Sequence, residues 1–128
     1  MNAYFLVALG SALGGVGRYW ASNLITERAG KTFPWGTLLV NVTGSLVIGL
    51  LAAWLVGEHR WQAHPRWREF LMIGLCGGYT TFSSFSLDTL NLLRASHWFQ
   101  AGAYALLSLV LCLVAVWLGH ALGQLANR

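Results

Sequence analysis

The sequence predicts an all-α membrane protein with four transmembrane helices, formed as one domain over residues 1–128. Hydrophobic residues make up 56% of the chain and charged residues only 9%, with a mean hydropathy of +0.57. A soluble domain carries about a quarter charged residues, so this chain has too little charge to cover a surface in water. Four apolar segments each approach the roughly 20 residues that cross a bilayer.

The first predicted span covers about residues 3–26 and begins without the charged segment of a cleavable signal peptide. Gly10 and Gly14 stand four residues apart, a spacing that lets helix backbones approach closely in a membrane. The second span covers about residues 34–56 and contains Asn41, a polar amide about two turns into an apolar run. This amide either bonds to another helix or has a functional role.

The third predicted span, about residues 67–93, contains a glycine pair followed by threonines, from Gly77 to Thr81. Glycine is less favourable in a helix than alanine by about 1 kcal/mol, and β-branched threonine is also unfavourable. We therefore expect the helix to break near Gly77–Thr80. Carbonyls freed inside a bilayer need partners within the protein. The partner is either a sodium ion, as in broken transporter helices, or a threonine hydroxyl in a simple kink.

Polar residues continue beyond the expected break at helical spacing. Because a helix that is polar on several sides cannot face lipid, this half of the span must lie inside a bundle or beside a wet cavity. Hydrogen bonds between helices, and core packing of the two phenylalanines, are the alternatives to a functional role. The residues concerned are Thr80, Phe82, Ser83, Ser84, Phe85, Ser86, Asp88 and Asn91.

The fourth predicted span covers about residues 99–122. Tyr104, Ser108 and Cys112 follow one another at intervals of four residues, so one helix face carries a phenol, a hydroxyl and a thiol. Gly119 and Gly123 repeat the close-packing spacing seen in the first span.

The basic residues divide almost equally between the two sides of the predicted bundle. One side receives Arg60, Arg66, Arg68 and Arg128. The other receives Arg28, Lys31 and Arg94, with Arg18 as a fourth if it is assigned by depth. So small a difference barely biases insertion under the positive-inside rule. We therefore expect chains to insert both ways up and to pair as an antiparallel, dual-topology homodimer.

The polar residues inside the membrane favour an anion as ligand. Cation or proton pathways usually contain an intramembrane carboxylate, whereas three of the four acids here lie at segment ends and Asp88 lies two turns beyond the phenylalanines. Phenylalanine ring edges carry partial positive charge and suit a small anion. The sequence contains no nucleophile–base pair, metal-ligand cluster or phosphate loop, so no enzyme is predicted. The scattered basic residues argue against a nucleic-acid partner.

Across essentially the whole chain these features resemble the CrcB/Fluc family of fluoride channels. The resemblance is carried by GRYW late in the first span, PWGTLLVN at the start of the second and GGYTTFSSFS in the third. It implies a fluoride-selective channel of the bacterial inner (plasma) membrane that passively exports cytoplasmic fluoride and relieves its toxicity. HF that enters from acid surroundings dissociates inside the cell, and the membrane potential drives the anion out by about 2.3 kcal/mol per 100 mV.

The resemblance also implies how the site is assembled. Two antiparallel subunits would form two pores around a central structural Na+, held by the backbone carbonyls of Gly77 and Thr80 in both subunits. Arg18 matches an arginine that shapes the positive vestibule, although snorkelling to the membrane interface is the alternative. Members often carry further hydroxyls on the fourth helix, where this chain has Cys112 and Val116. The implied fluoride pathway consists of Asn41, Thr81, Phe82, Ser83, Ser84, Phe85, Tyr104 and Ser108.

Two rival functions make different demands on the sequence. A small multidrug-resistance-type transporter also has four helices and dual topology, but it needs a carboxylate within its first span, and the first acid here is Glu27 at that span's end. A non-transporting assembly subunit would use the polar stripe for helix packing alone, and liposomes that contain it would leak no ions.

Overall fold

The computed structural model describes residues 2–56 and 65–126, and these residues form four long helical segments without a strand. Helix α1 is Ala3–Ala29 and helix α2 is Trp35–Leu55. The third segment consists of α3 (residues 65–79) and α4 (Phe82–Arg94), and the fourth is α5 (Trp98–Ala126). The all-α fold with a broken third helix is thereby confirmed.

Three of the segments are long and apolar enough to cross a membrane: Trp35–Leu55, Pro65–Arg94 and Trp98–Ala126. Helix α1 is less apolar, but its 27 residues reach about 40 Å at a rise of about 1.5 Å per residue, more than the thickness of a bilayer core. Arg60 and Arg128, which entered the prediction of orientation, lie outside the described residues.

Large apolar side chains cover much of the surface of this fold. Residues of α5 show the pattern, with Leu106 and Trp117 both more than half exposed. An apolar surface of this extent would be a liability in water, whereas hydrocarbon is a compatible solvent for it. Among residues 2–56 and 65–126, the largest fully buried side chains are Leu38, Val40 and Tyr104.

Two helix pairs pack through the small residues that the sequence predicted. Helix α1 lies against α3, where a Cβ added to Gly10 would lie 2.5 Å from the Phe70 carbonyl oxygen. Helix α2 lies against α5, where a Cβ on Gly119 would collide with the Leu46 carbonyl oxygen. At both places only glycine permits the observed approach of the two backbones, so the predicted close packing is confirmed.

The third segment has a π-helix that the sequence did not predict and a break at the end of the predicted range Gly77–Thr80. Arg68–Cys76 is a π-helix, and the Gly77 amide at its end donates to the Met72 carbonyl five residues back. The break then lies at Thr80 and Thr81, both extended, whereas the glycine pair remains helical. Gly78 is needed within the helix because a Cβ there would lie 2.5 Å from the Ser11 carbonyl oxygen.

A matched pair of substitutions in α5 tests the role of backbone contact. Gly119→Ala is expected to lower the free energy of unfolding by about 1–3 kcal/mol through overpacking. Gly102→Ala, with open space around its Cβ, should leave stability unchanged or raise it by up to about 1 kcal/mol. Thermal unfolding of the purified protein in detergent measures both, and equal stability of the two variants would contradict the packing described.

Candidate functional site

The break in the third segment is held by the side chain of Asn41 from α2. The Asn41 Oδ1 atom accepts a hydrogen bond from the Thr81 amide at 2.7 Å, and the Asn41 Nδ2 atom donates to the Thr81 carbonyl at 3.0 Å. One amide side chain therefore satisfies both backbone groups of an extended residue, as a neighbouring strand would. The helix–helix hydrogen bond that the sequence left open for Asn41 is present, and it reaches backbone rather than a side chain.

Two carbonyl groups at the break lack their usual helical donors. In an uninterrupted helix the Gly77 carbonyl would accept from the Thr81 amide, which here donates to Asn41. The Thr80 carbonyl would accept from the Ser84 amide, which instead donates to Thr81 Oγ1 at 3.1 Å. A threonine hydroxyl does satisfy one neighbouring carbonyl, since Thr80 Oγ1 donates to the Cys76 carbonyl at 2.9 Å.

The freed carbonyls have the chemistry that a hard cation requires. Such ions prefer oxygen ligands, and backbone carbonyls serve them well. Gly77 and Thr80 therefore fit the Na+ site that the resemblance implies. The two carbonyls of one chain are fewer than the ligands a hard cation usually takes. Within residues 2–56 and 65–126, no group of three or more His, Cys, Asp or Glu side chains is placed to bind a metal.

Arg18 approaches the same break from α1. Its Nε atom donates to the Gly78 carbonyl at 3.2 Å, so this end of α3 receives a positive charge. A positive charge is favourable there because the carboxyl end of a helix carries a partial negative charge. Arg18 also borders a small polar cavity of about 80 Å³. The other residues lining that cavity are Tyr19, Ser22, Asn23, Thr37, Val40, Thr81 and Ser84.

A larger groove of about 590 Å³ lies beside Thr81. Phe82 and Phe85 both line it, with ring centroids 5.3 Å apart, and Phe82 is 79% exposed. Asn41 contributes from α2 and Ser108 from α5, so residues predicted from three spans meet here. The remaining lining residues are Ser45, Ile48, Thr80, Thr81, Ala105, Leu109, Cys112 and Leu113.

Ser108 presents an unusual polar atom to this groove. The residue is only 7% exposed, and its Oγ is one of two buried side-chain atoms in the described part of the chain without a hydrogen-bond partner. A buried hydroxyl of this kind costs free energy unless a ligand or water bonds to it. Ser45 was not singled out from the sequence, although it stands four residues after Asn41 and so shares its helix face.

The Ser83 and Ser84 hydroxyls after the break both bond to Thr81 Oγ1. Thr81 Oγ1 caps α4 by accepting from the Ser84 amide and lies 3.2 Å from Ser83 Oγ and 3.1 Å from Ser84 Oγ. Ser86 donates back to the Phe82 carbonyl at 2.9 Å. Helix α4 therefore begins at Phe82 with a capped amino end, whose partial positive charge lies beside the groove.

Tyr104 and Ser108 differ in their surroundings, although the sequence places them on one face. Tyr104 is fully buried, and its hydroxyl donates to Asp88 Oδ2 at 3.2 Å. Ser108 and Cys112 line the groove, whereas Tyr104 is not among the lining residues. The structure thus brings Asn41, Thr81, Phe82, Phe85 and Ser108 together at the groove and gives Tyr104 a position behind it.

Residues 5–120 match the family described as "CrcB-like protein, Camphor Resistance (CrcB)". A relative named "Fluoride-specific ion channel FluC" from Opitutus terrae is 56% identical over 120 residues, which cover 94% of this chain and 91% of the relative. A relative of the same name from Paramagnetospirillum magneticum is 52% identical over 128 residues, which cover 100% of both chains. Another from Methylocella silvestris is 49% identical over 125 residues, which cover 98% of this chain and 95% of the relative.

The contact between Asn41 and Thr81 can be tested directly. Asn41→Ala removes both hydrogen bonds and leaves two backbone groups unpaired, at about 1–3 kcal/mol each when buried. We expect faster hydrogen exchange in the peptide that contains Thr81, measured by mass spectrometry. Ser45→Ala, on the same helix face and at the same groove, should leave that exchange unchanged. Equal protection in wild type and Asn41→Ala would contradict the contact.

Proposed function

The chain belongs to the CrcB-like protein family, and on this premise we propose that it is a fluoride-specific ion channel of the bacterial plasma membrane. The observation that carries the proposal is identity of about half the residues to relatives with that printed name, over nearly the full length of each chain. Three helical segments suited to span a membrane agree with a multi-pass channel. The protein is a passive pore and not an enzyme.

The groove provides a route that suits a small anion. Phe82 and Phe85 line it with aromatic rings, whose edges carry partial positive charge. The Ser108 hydroxyl is buried without a partner and is free to donate. The amino end of α4 adds the partial positive charge of the helix dipole. In this proposal fluoride exchanges its water for these donors as it moves past Thr81 and Asn41.

Transport along this route needs no energy input from the protein. A selective pore has to replace the hydration shell of its ion with closely fitted groups, and it must bind weakly enough to release the ion. Neutral hydroxyl, amide and ring-edge donors meet both requirements, whereas a fixed positive charge inside the groove would hold fluoride. Arg18 lies outside the groove, at the small cavity that shares Thr81 with it. There it attracts the anion to a vestibule.

The channel is proposed to work as an antiparallel homodimer with two pores. Thr80 and Thr81 line a groove that is open to the surface of one chain, and in this proposal a second copy closes the path. The Gly77 and Thr80 carbonyls of both copies would hold the structural Na+. That ion would supply positive charge to the two broken helices and link the subunits. Ser83 and Ser84 support the break through their bonds to Thr81.

Fluoride efflux from proteoliposomes tests the proposed function. Liposomes that contain the purified protein and are loaded with fluoride should release it through the channel when a potassium gradient and valinomycin set the potential, and a fluoride electrode reads the rate. Chloride-loaded liposomes should show only the leak of protein-free ones. Chloride release at a comparable rate would contradict the proposal. An absence of fluoride release would also contradict it and would favour a non-transporting assembly subunit.

Two substitutions in the same assay locate the path. Phe82→Ile removes a groove-lining ring, and Asn41→Asp puts a negative charge there while turning a donor to the Thr81 carbonyl into an acceptor. Each should slow fluoride efflux at least about tenfold, equivalent to a barrier higher by about 1.4 kcal/mol. Phe99→Ile is the matched control, since Phe99 is 88% exposed at the start of α5. Wild-type rates in both groove variants would show that fluoride takes another path.

A further inference from the structure

The wall of the groove becomes less polar along α5, beyond Ser108. From there α5 contributes two leucines and a thiol, and a thiol is only a weak hydrogen-bond donor. Helix α2 contributes Ile48 and, one turn after Asn41, Ser45. Ser45 therefore brings a hydroxyl into a stretch of the groove that is otherwise weakly polar. The α5 residues of this stretch are Leu109, Cys112 and Leu113.

Helices α2 and α5 pack with their chains running in the same direction. A Cβ on Gly49 would collide with the Val116 carbonyl oxygen, and further along both helices a Cβ on Gly123 would lie 2.6 Å from the Ala53 Cβ atom. The contacts therefore advance together along the two helices, and Gly49 is level with Val116. Residues that stand equally far before these two are accordingly level with each other.

By this register Ser45 is level with Cys112. Each of them stands four residues before the contact of its helix, which is about 6 Å along either axis. Another turn back, Asn41 and Ser108 form the preceding level, and all four residues line the groove. An ion that moves along the groove past Asn41 and Ser108 therefore next meets the Ser45 hydroxyl on one wall and the Cys112 thiol on the other.

The Ser45 hydroxyl has no bond that would compete with a ligand. Hydroxyls inside a helix often bond to the carbonyl one turn back, as Thr43 Oγ1 does to the Leu39 carbonyl at 2.8 Å. Within residues 2–56 and 65–126, no hydrogen bond involves the Ser45 side chain. Ser108 Oγ, on the preceding level, also lacks a partner there. Two successive levels of the groove thus each offer a free hydroxyl, the first from α5 and the second from α2.

We propose that Ser45 is a further residue that contacts the permeating anion, and that its hydroxyl donates to fluoride at the level of Cys112. The inference rests on the proposed function, because fluoride is the ion only under that proposal. A permeating ion has to pass from one set of close-fitting groups to the next without being held strongly. A step from Ser108 on α5 to Ser45 on α2, about 6 Å along the groove, continues the donors where α5 has only a thiol.

A pair of substitutions on opposite walls tests this role. Ser45→Ala removes the hydroxyl, and Cys112→Ser places a strong donor at the same level. Both are made in the full-length chain, singly and together, and fluoride efflux from proteoliposomes is measured. Ser45→Ala should slow efflux at least about fivefold, as expected for the loss of one hydrogen bond to a charged partner. The double variant should return to within about twofold of wild type, because a donor is restored at that level.

Further variants separate contact with the ion from packing. Ser45→Ala should leave the midpoint of thermal unfolding in detergent unchanged, since its hydroxyl has no partner in the described protein. Thr89→Val is the matched control: its hydroxyl bonds to the Phe85 carbonyl at 2.8 Å and does not line the groove, so efflux should stay at the wild-type rate. Ser45→Cys, which keeps a weak donor, should slow efflux at least about threefold, and it decides if Ser45→Ala does not fold.

Other outcomes overturn the inference. Wild-type efflux in Ser45→Ala, or a double variant as slow as Ser45→Ala, would show that the ion does not use this hydroxyl. A lower unfolding midpoint in Ser45→Ala without rescue by Cys112→Ser would assign Ser45 to packing, and equal slowing in Thr89→Val would mean that the effect is unspecific. A wild-type protein that passes no fluoride would overturn the proposed function and the inference together, whereas an active wild type with an unaffected Ser45→Ala overturns the inference alone.

Discussion

The two hydrogen bonds between Asn41 and the backbone of Thr81 are the constraint on which the rest of the site depends. A backbone amide and carbonyl cannot remain unpaired inside a bilayer, so an extended residue at that depth needs a substitute for the helix it has left. Asn41 is that substitute. By taking the Thr81 amide it separates α3 from α4, frees the Gly77 carbonyl, and sets the position at which α4 and its capped amino end begin.

The break brings helix ends of opposite partial charge together within a few residues. The carboxyl end of α3 is negative and receives the Arg18 guanidinium at the Gly78 carbonyl; the amino end of α4 is positive and lies beside the groove. Backbone dipoles alone thus favour a cation on one side of Thr80–Thr81 and an anion on the other. The polar residues of this apolar chain are therefore consistent with a cation site and an anion site on opposite sides of the break.

The four helical segments, the close glycine contacts and most groove residues could be predicted from the sequence, because hydrophobic periodicity and the spacing of small residues are local patterns. The sequence prediction placed the break near Gly77–Thr80 from helix propensity, and the structure puts it at the end of that range and at Thr81, because Gly78 stays helical in contact with Ser11 and Asn41 bonds to Thr81. The π-helix of Arg68–Cys76 has no comparable sequence signal. Nor does the pattern that aligns Tyr104 with Ser108 reveal that α4 offers the phenol a carboxylate.

The most direct test of the account is an experimental structure of the protein in a lipid bilayer, determined in the presence of fluoride and sodium. The account predicts two antiparallel chains, Asn41 bonded to Thr81 in each, cation density between the carbonyls of Gly77 and Thr80, and anion density beside Phe82 and Phe85. An unbroken third helix, or two parallel chains with the groove filled by lipid, would contradict it.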